Sequence, residues 1–130
     1  MTKEDKELLF KDLCARLPYQ PKLQIYYEEM SGSGVFDEKL WEIDGDGQYC
    51  NGGRRLEDIK PYLRPMSSMT EDEFKELKKI YQDQSICSYH TISMDLEFIN
   101  WYLAHHFDIN YLIQSGLAIE VTENNNPYKE

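Results

Sequence analysis

The chain has 130 residues, a mass of 15.5 kDa and a formal net charge of −10, with 41% hydrophobic and 13% aromatic residues. That length suits one domain and a core that needs neither disulfide nor metal. No apolar run reaches the roughly 18 residues of a membrane span, and the acidity opposes broad contact with phosphate backbones.

The opening MTKEDKELLF is charged where a signal peptide is apolar, so a cytoplasmic protein is expected. Cys14, Cys50 and Cys87 lie far apart with no CxxC, which suits reduced thiols packed as small apolar groups.

The first element in chain order is a helix. Thr2 caps it, Glu4 and Asp5 suit its positive end and Arg16 its negative end. Leu9, Leu13 and Leu17, with Phe10 and Cys14 beside them, form one apolar face, and Pro18 and Pro21 end the helix. β structure follows. KLQIYYEEM alternates at Leu23, Ile25 and Tyr27, VFDEKLWEID carries Phe36, Leu40, Trp41 and Ile43, and SGSG links them as a hairpin. Turn signals at residues 44–47 and 51–53 extend this to an antiparallel meander of three or four strands.

Leu56 and Ile59 allow one helical turn before Pro61 and Pro65 impose an extended path. TEDE, residues 70–73, is a capping box that opens a helix to about Gln84 with a narrow stripe of Phe74, Leu77 and Ile80 or Tyr81. A third helix is predicted from Ser93 to Phe107. Leu96, Ile99 and Leu103 line one side and Phe98, Trp101 and Tyr102 the next, a wide apolar surface expected of the most buried helix. Asp108 then caps a short helix over INYLIQS, closed by Gly116, and LAIEV reads as a final strand. The predicted architecture is α+β: a small antiparallel sheet of three to five strands, able to curl into a barrel, with three main helices packed on it. One domain is expected over residues 1–121, with a loose tail over 122–130.

Asp44 and Asp46 alternate with glycines like the first ligands of a calcium loop. However, Tyr49 stands at the sharp-turn glycine and Arg55 where the bidentate glutamate belongs, so the stretch reads as a hairpin turn. The glycines also fail as a dinucleotide or Walker loop, and GSG is not GxSxG. His105 and His106 are helix neighbours pointing about 100° apart, so they do not grip one ion together. His105 and Asp108, with His90, are a conceivable ligand set, weighed against histidines that simply suit a helix C-terminus. The aromatic set Tyr26, Tyr27, Trp41, Tyr49 and Tyr62 is split between core packing and an exposed contact surface.

Three segments, MTKEDKELLFKDLCARLPY, IKPYLRPMSSMTEDE and AHHFDINYLIQSGLAIE, together resemble a family of small uncharacterised proteins of gut anaerobic bacteria, their mobile elements and phages. KPYLRPMSSMT is the most specific string. The resemblance implies a bacterial accessory protein and nominates no catalytic residue. It also implies an arginine-glycine pair where this chain has Asn110 and Tyr111.

The functional expectation is a non-enzymatic binding or regulatory protein acting through contacts with another protein, with no cofactor and no membrane. Tyr62, Arg64, Trp101, His105, His106 and Asp108 form its expected shared surface. One alternative is a nucleic-acid-associated protein using Arg54, Arg55, Lys60 and Arg64, or acidic mimicry of DNA. The other is a metal-assisted enzyme at His90, His105 and Asp108. Partner identity and oligomeric state stay open.

Overall fold

The computed structural model describes residues 1–84 and 92–129, with side chains for 1–80 and 96–129. Cys87 and His90 lie outside the described residues. Helix α1 (Lys3–Arg16) starts where Thr2 Oγ1 accepts the Asp5 N–H at 3.0 Å and ends in a 3-10 turn over Leu17–Tyr19. Leu9 and Leu13 are fully buried and together contribute roughly 4 kcal/mol of apolar burial. Cys14 falls off that face and is exposed. Arg16 departs furthest from expectation: this helix-end cation is 0% exposed.

β1 (Lys22–Glu29) and β2 (Gly32–Lys39) form the predicted hairpin, but the turn is Met30–Ser31. The glycines of SGSG therefore belong to β2. Gly34 serves packing there, because a Cβ on it would meet the Tyr27 hydroxyl at 3.0 Å. Leu23 and Ile25 point inward and are fully buried.

The expected meander does not continue. β3 (Tyr49–Cys50) and β4 (Arg54–Arg55) form a separate two-stranded ribbon around Asn51, Gly52 and Gly53, all at positive φ. The third strand beside the hairpin is β5 (Ile59–Leu63), antiparallel to β1, and its outer neighbour is the two-residue β6 (Ile119–Glu120). β6 runs parallel to β5, which corrects the antiparallel expectation: the sheet is mixed, in the order β2-β1-β5-β6. It stays open, with β2 at one edge and β6 at the other, so no barrel closes.

The parallel pairing needs a long crossover, and α2 (Glu71–Gln84) and α3 (Ile92–Ala104) lie within it. The capping box forms as predicted: Thr70 N–H donates to Glu73 Oε1 at 2.9 Å, and Glu73 N–H to Thr70 Oγ1 at 3.1 Å. α3 ends three residues before the predicted Phe107, and His106 turns to φ 64°. Nor is α3 buried throughout. Leu96 is 51% and Ile99 42% exposed, while Trp101 and Leu103 are buried, so within residues 96–104 it is the last turn that enters the core. INYLIQS forms turns rather than a helix, although Asp108 does cap it by accepting the N–H groups of Asn110, Leu112 and Ile113. Among the described residues, no helix is long and apolar enough to cross a membrane.

Residues 122–129 were expected as a loose tail, and Tyr128 holds them to the body. Register places Lys22 of β1 opposite Tyr62 of β5, one step beyond the pair Leu23–Pro61. There the Tyr128 hydroxyl stands between the strands, accepting from Lys22 N–H at 2.9 Å and donating to Tyr62 O at 2.7 Å. A side chain thus completes the ladder where the two backbones part.

Candidate functional site

The C-terminal end of α3 gathers most of the residues that the sequence singles out. It meets the end of β5 through backbone bonds: Arg64 N–H donates to His106 O at 2.8 Å, and Asp108 N–H to Arg64 O at 2.9 Å. This junction puts Arg64 beneath the last turn of α3 and beside the start of α2. Its guanidinium makes paired bonds to Glu73 at 2.6 and 2.7 Å, and further bonds to Ser68 Oγ, Ser68 O and His105 O. Those contacts use all five of its N–H donors. Its flat face also lies over Phe107, 4.3 Å from the ring centre.

Arg64 in turn fixes its neighbours. Its hydrogen bonds hold the Glu73 carboxyl down to about 2, far below the ordinary carboxylate range. The His105 ring lies between Glu73 (Nδ1–Oε2 3.5 Å) and Glu76 (Nε2–Oε1 3.9 Å) and packs on Trp101 at 4.3 Å. Trp101 donates its indole N–H to Glu76 at 3.2 Å and lies parallel to Phe107 at 5.9 Å. On the other side His106 stacks flat on Tyr128, with ring centres 3.9 Å apart and an 8° angle between planes. Burial, helped by the nearby charge of Arg16, lowers the His106 imidazole to about 4, so it is neutral at pH 7.

Beneath this surface lies a charged node with no trace in the apolar patterning. Arg16 donates to Asp12 at 2.6 and 3.2 Å and to Phe107 O at 2.7 Å, while Asn110 donates to Asp12 at 2.8 Å. Both ions are shut off from water, so each depends on the other for its neutralisation. Arg16 is therefore a tie between α1 and the residues after α3 rather than a surface charge facing a helix end.

Between α3, Arg64 and residues 121–129 opens a cleft of about 730 Å³. Ala104, His105 and His106 line one wall, and Glu123, Tyr128 and Lys129 the other. Lys129 is exposed and has no ion-pair partner among the described residues.

Of the six expected surface residues, Arg64, His105 and His106 line this cleft, and Trp101 is buried behind His105 at 7% exposure. Tyr62 and Asp108 serve the fold instead. Tyr62 is 7% exposed and donates its hydroxyl to Asp37 at 2.8 Å. Asp108 spends its carboxylate on three backbone N–H groups, which removes it from the proposed set with His105. Among the described residues, no three His, Cys, Asp or Glu side chains lie close enough to hold a metal ion.

The expected basic contact is dispersed. Arg64 is saturated, Arg55 pairs with Asp58 at 3.0 Å, Arg54 lies 5.0 Å from the Phe36 ring centre, and Lys60 is exposed on β5. Glu28, Glu29 and Asp58 share the hollow beside Arg54 and Arg55, so no uniform positive surface forms. Of the aromatic set, Tyr26, Trp41 and Tyr49 are exposed, Tyr27 is half-buried against Phe36, and Tyr62 is buried. Asp44 and Asp46 form a turn: Gly47 N–H donates to Asp44 O, and Gln48 N–H to Asp46 Oδ1.

Glu73, Tyr128 and Lys129 belong to the site without being among the residues expected there. Glu73 was visible only as a capping residue, and the other two were assigned to the tail. One signal was available, since a lone tyrosine in the polar run TENNNPYKE marks a point where a tail can dock. Compared with known proteins, the chain matches no family model, no curated protein and no solved structure, so its functional reading rests on the geometry of this cleft.

Proposed function

We propose that the protein is a non-enzymatic binding module acting through protein–protein contacts, with the cleft at the end of α3 as its contact site. The observation that supports this most is how the polar groups of the site are spent. Arg64 has no free N–H, Glu73 is locked to it, and Asp108 serves backbone donors. These groups act as walls rather than as presented acids, bases or nucleophiles. Around them stands a concave, braced surface with His105, His106 and Lys129 at its rim. A preorganised surface of this kind loses little entropy when another chain docks.

The test is substitution at Ala104, which is exposed on the helix and lines the cleft. Ala104→Arg fills the cleft with a long side chain and leaves the core unchanged. Tagged wild-type protein and the variant are incubated with lysate of the source organism and treated with an amine-reactive crosslinker. The reading requires a protein that crosslinks to Lys129 of the wild type and is lost with the variant. Equal capture by both would refute it.

A further inference from the structure

His106 is the group in the cleft whose chemistry is most constrained. Its Nδ1 is sealed from solvent and has no hydrogen-bond partner. Nη1 of Arg16 is likewise sealed and unpartnered, and the Arg16 charge is close enough to act on the imidazole. A proton on Nδ1 would be a buried donor without an acceptor, set near a cation. A lone pair there is also unpartnered but faces the Arg16 cation favourably, which makes it the less costly of the two. The ring of the neutral His106 therefore carries its proton on Nε2. That atom makes no hydrogen bond among the described residues and is not sealed, and His106 borders the cleft. Stacking on Tyr128 fixes the ring plane, so Nε2–H is an oriented donor.

A second donor borders the same cleft, the ammonium of Lys129. Two features limit how much negative charge a ligand can bring. Glu123 stands on the rim, and the C-terminal turn of α3 adds the negative end of its dipole, about half an elementary charge. Each negative charge on a ligand is opposed by Glu123 and the dipole, so a carboxylate with one charge is opposed less than a dianion while still accepting from both donors.

We infer that this cleft is a carboxylate subsite, in which one carboxylate of the partner protein, from an acidic side chain or a chain terminus, accepts from His106 Nε2–H and Lys129 Nζ. The inference rests on the protein-contact reading above and adds the chemistry that the partner must present.

Acetate is the probe, titrated into the full chain at pH 7 against chloride at matched ionic strength. Imidazole and lysine signals are followed by nitrogen-15 NMR. The expected result is a neutral Nε2–H tautomer for His106 and saturable shifts at His106 and Lys129, with a Kd on the order of 10 mM for so small a ligand. Lys129→Gln, at an exposed position, is expected to weaken acetate about tenfold. His106→Phe keeps a ring on Tyr128 but abolishes binding, and His106→Gln, which restores an N–H donor, recovers part of it. Dianionic phosphate at pH 8 should bind more weakly than acetate.

An Nδ1–H tautomer, acetate no different from chloride, or unchanged affinity in Lys129→Gln would each overturn the inference. Tighter binding of phosphate would overturn it in favour of a phosphorylated ligand. If acetate fails while Ala104→Arg still releases a partner, the subsite is wrong and the protein-contact reading stands. If acetate binds as described and Ala104→Arg releases nothing, the protein-contact reading fails and the carboxylate belongs to a small molecule.

Discussion

Replacing Arg64 by lysine keeps the charge and removes the fork. Lysine offers a point charge with three donors, so it can satisfy one Glu73 oxygen but not both oxygens together with Ser68 and His105. One charge-assisted bond is lost, worth about 2 kcal/mol, with roughly 0.5 kcal/mol for the longer bonds and about 0.5 kcal/mol for the stacking on Phe107. The sum is about 3 kcal/mol, a substantial share of a total stability of about 5–15 kcal/mol. With a urea m-value of about 1.5 kcal/mol/M, the midpoint should fall by about 2 M. Urea unfolding followed by circular dichroism measures this directly. A double-mutant cycle with Glu73→Gln should return a coupling above about 1 kcal/mol. If Arg64→Lys stays within about 0.5 kcal/mol of the wild type, the five bonds are geometry without energy and the reasoning is wrong.

Three further outcomes are expected. Because folding lowers the Glu73 carboxyl from 4.5 to about 2, its contribution is fully present above pH 4.5 and is lost as pH falls towards 2; Glu73→Gln should flatten the urea-midpoint profile across that window. Tyr128→Phe leaves Lys22 N–H and Tyr62 O without their shared hydroxyl, at a cost of about 1–2 kcal/mol. Faster amide exchange at Lys22 than at Ile25 would report it, and unchanged exchange would contradict it. Gly34→Ala pushes a methyl group against Tyr27 at 3.0–3.3 Å and should cost about 1 kcal/mol by displacing that ring from Phe36. An unchanged melting temperature would mean that Tyr27 swings aside freely.

Local signals in the sequence survived where the interaction itself was local. Thr2 and the Thr70–Glu73 box cap their helices as predicted, because capping partners sit three residues apart whatever the rest of the chain does. Asp108 caps as expected too, although the turn that follows does not lengthen into a helix. Features that depend on distant partners left no such local signal. The parallel pairing of β6 beside β5 is invisible in a two-residue strand, whereas the hairpin signals nearby favour an antiparallel sheet. The glycines of SGSG marked a turn by composition, yet Gly34 is a glycine because Tyr27 crosses it. Arg16 at the end of a helix looks like a solvated cation until the fold brings Phe107 O to it and Asn110 to its partner Asp12. The grouping of Arg64, Trp101, His105 and His106 was legible, whereas the closing wall from residues 121–129 was hidden by their polar composition.

The position of the Tyr128 hydroxyl orders events during synthesis. The last rung between β1 and β5 joins residues 22 and 62 through an atom of residue 128, so it cannot form until residue 128 has left the ribosomal exit tunnel. The hairpin and β5 can pair earlier, but the seam stays open at one end, with an unpaired N–H and carbonyl available to any passing strand. Stalled chains whose residue 128 is still inside the tunnel should therefore be cut by a protease beside Lys22, and chains in which residue 128 has emerged should resist that cut.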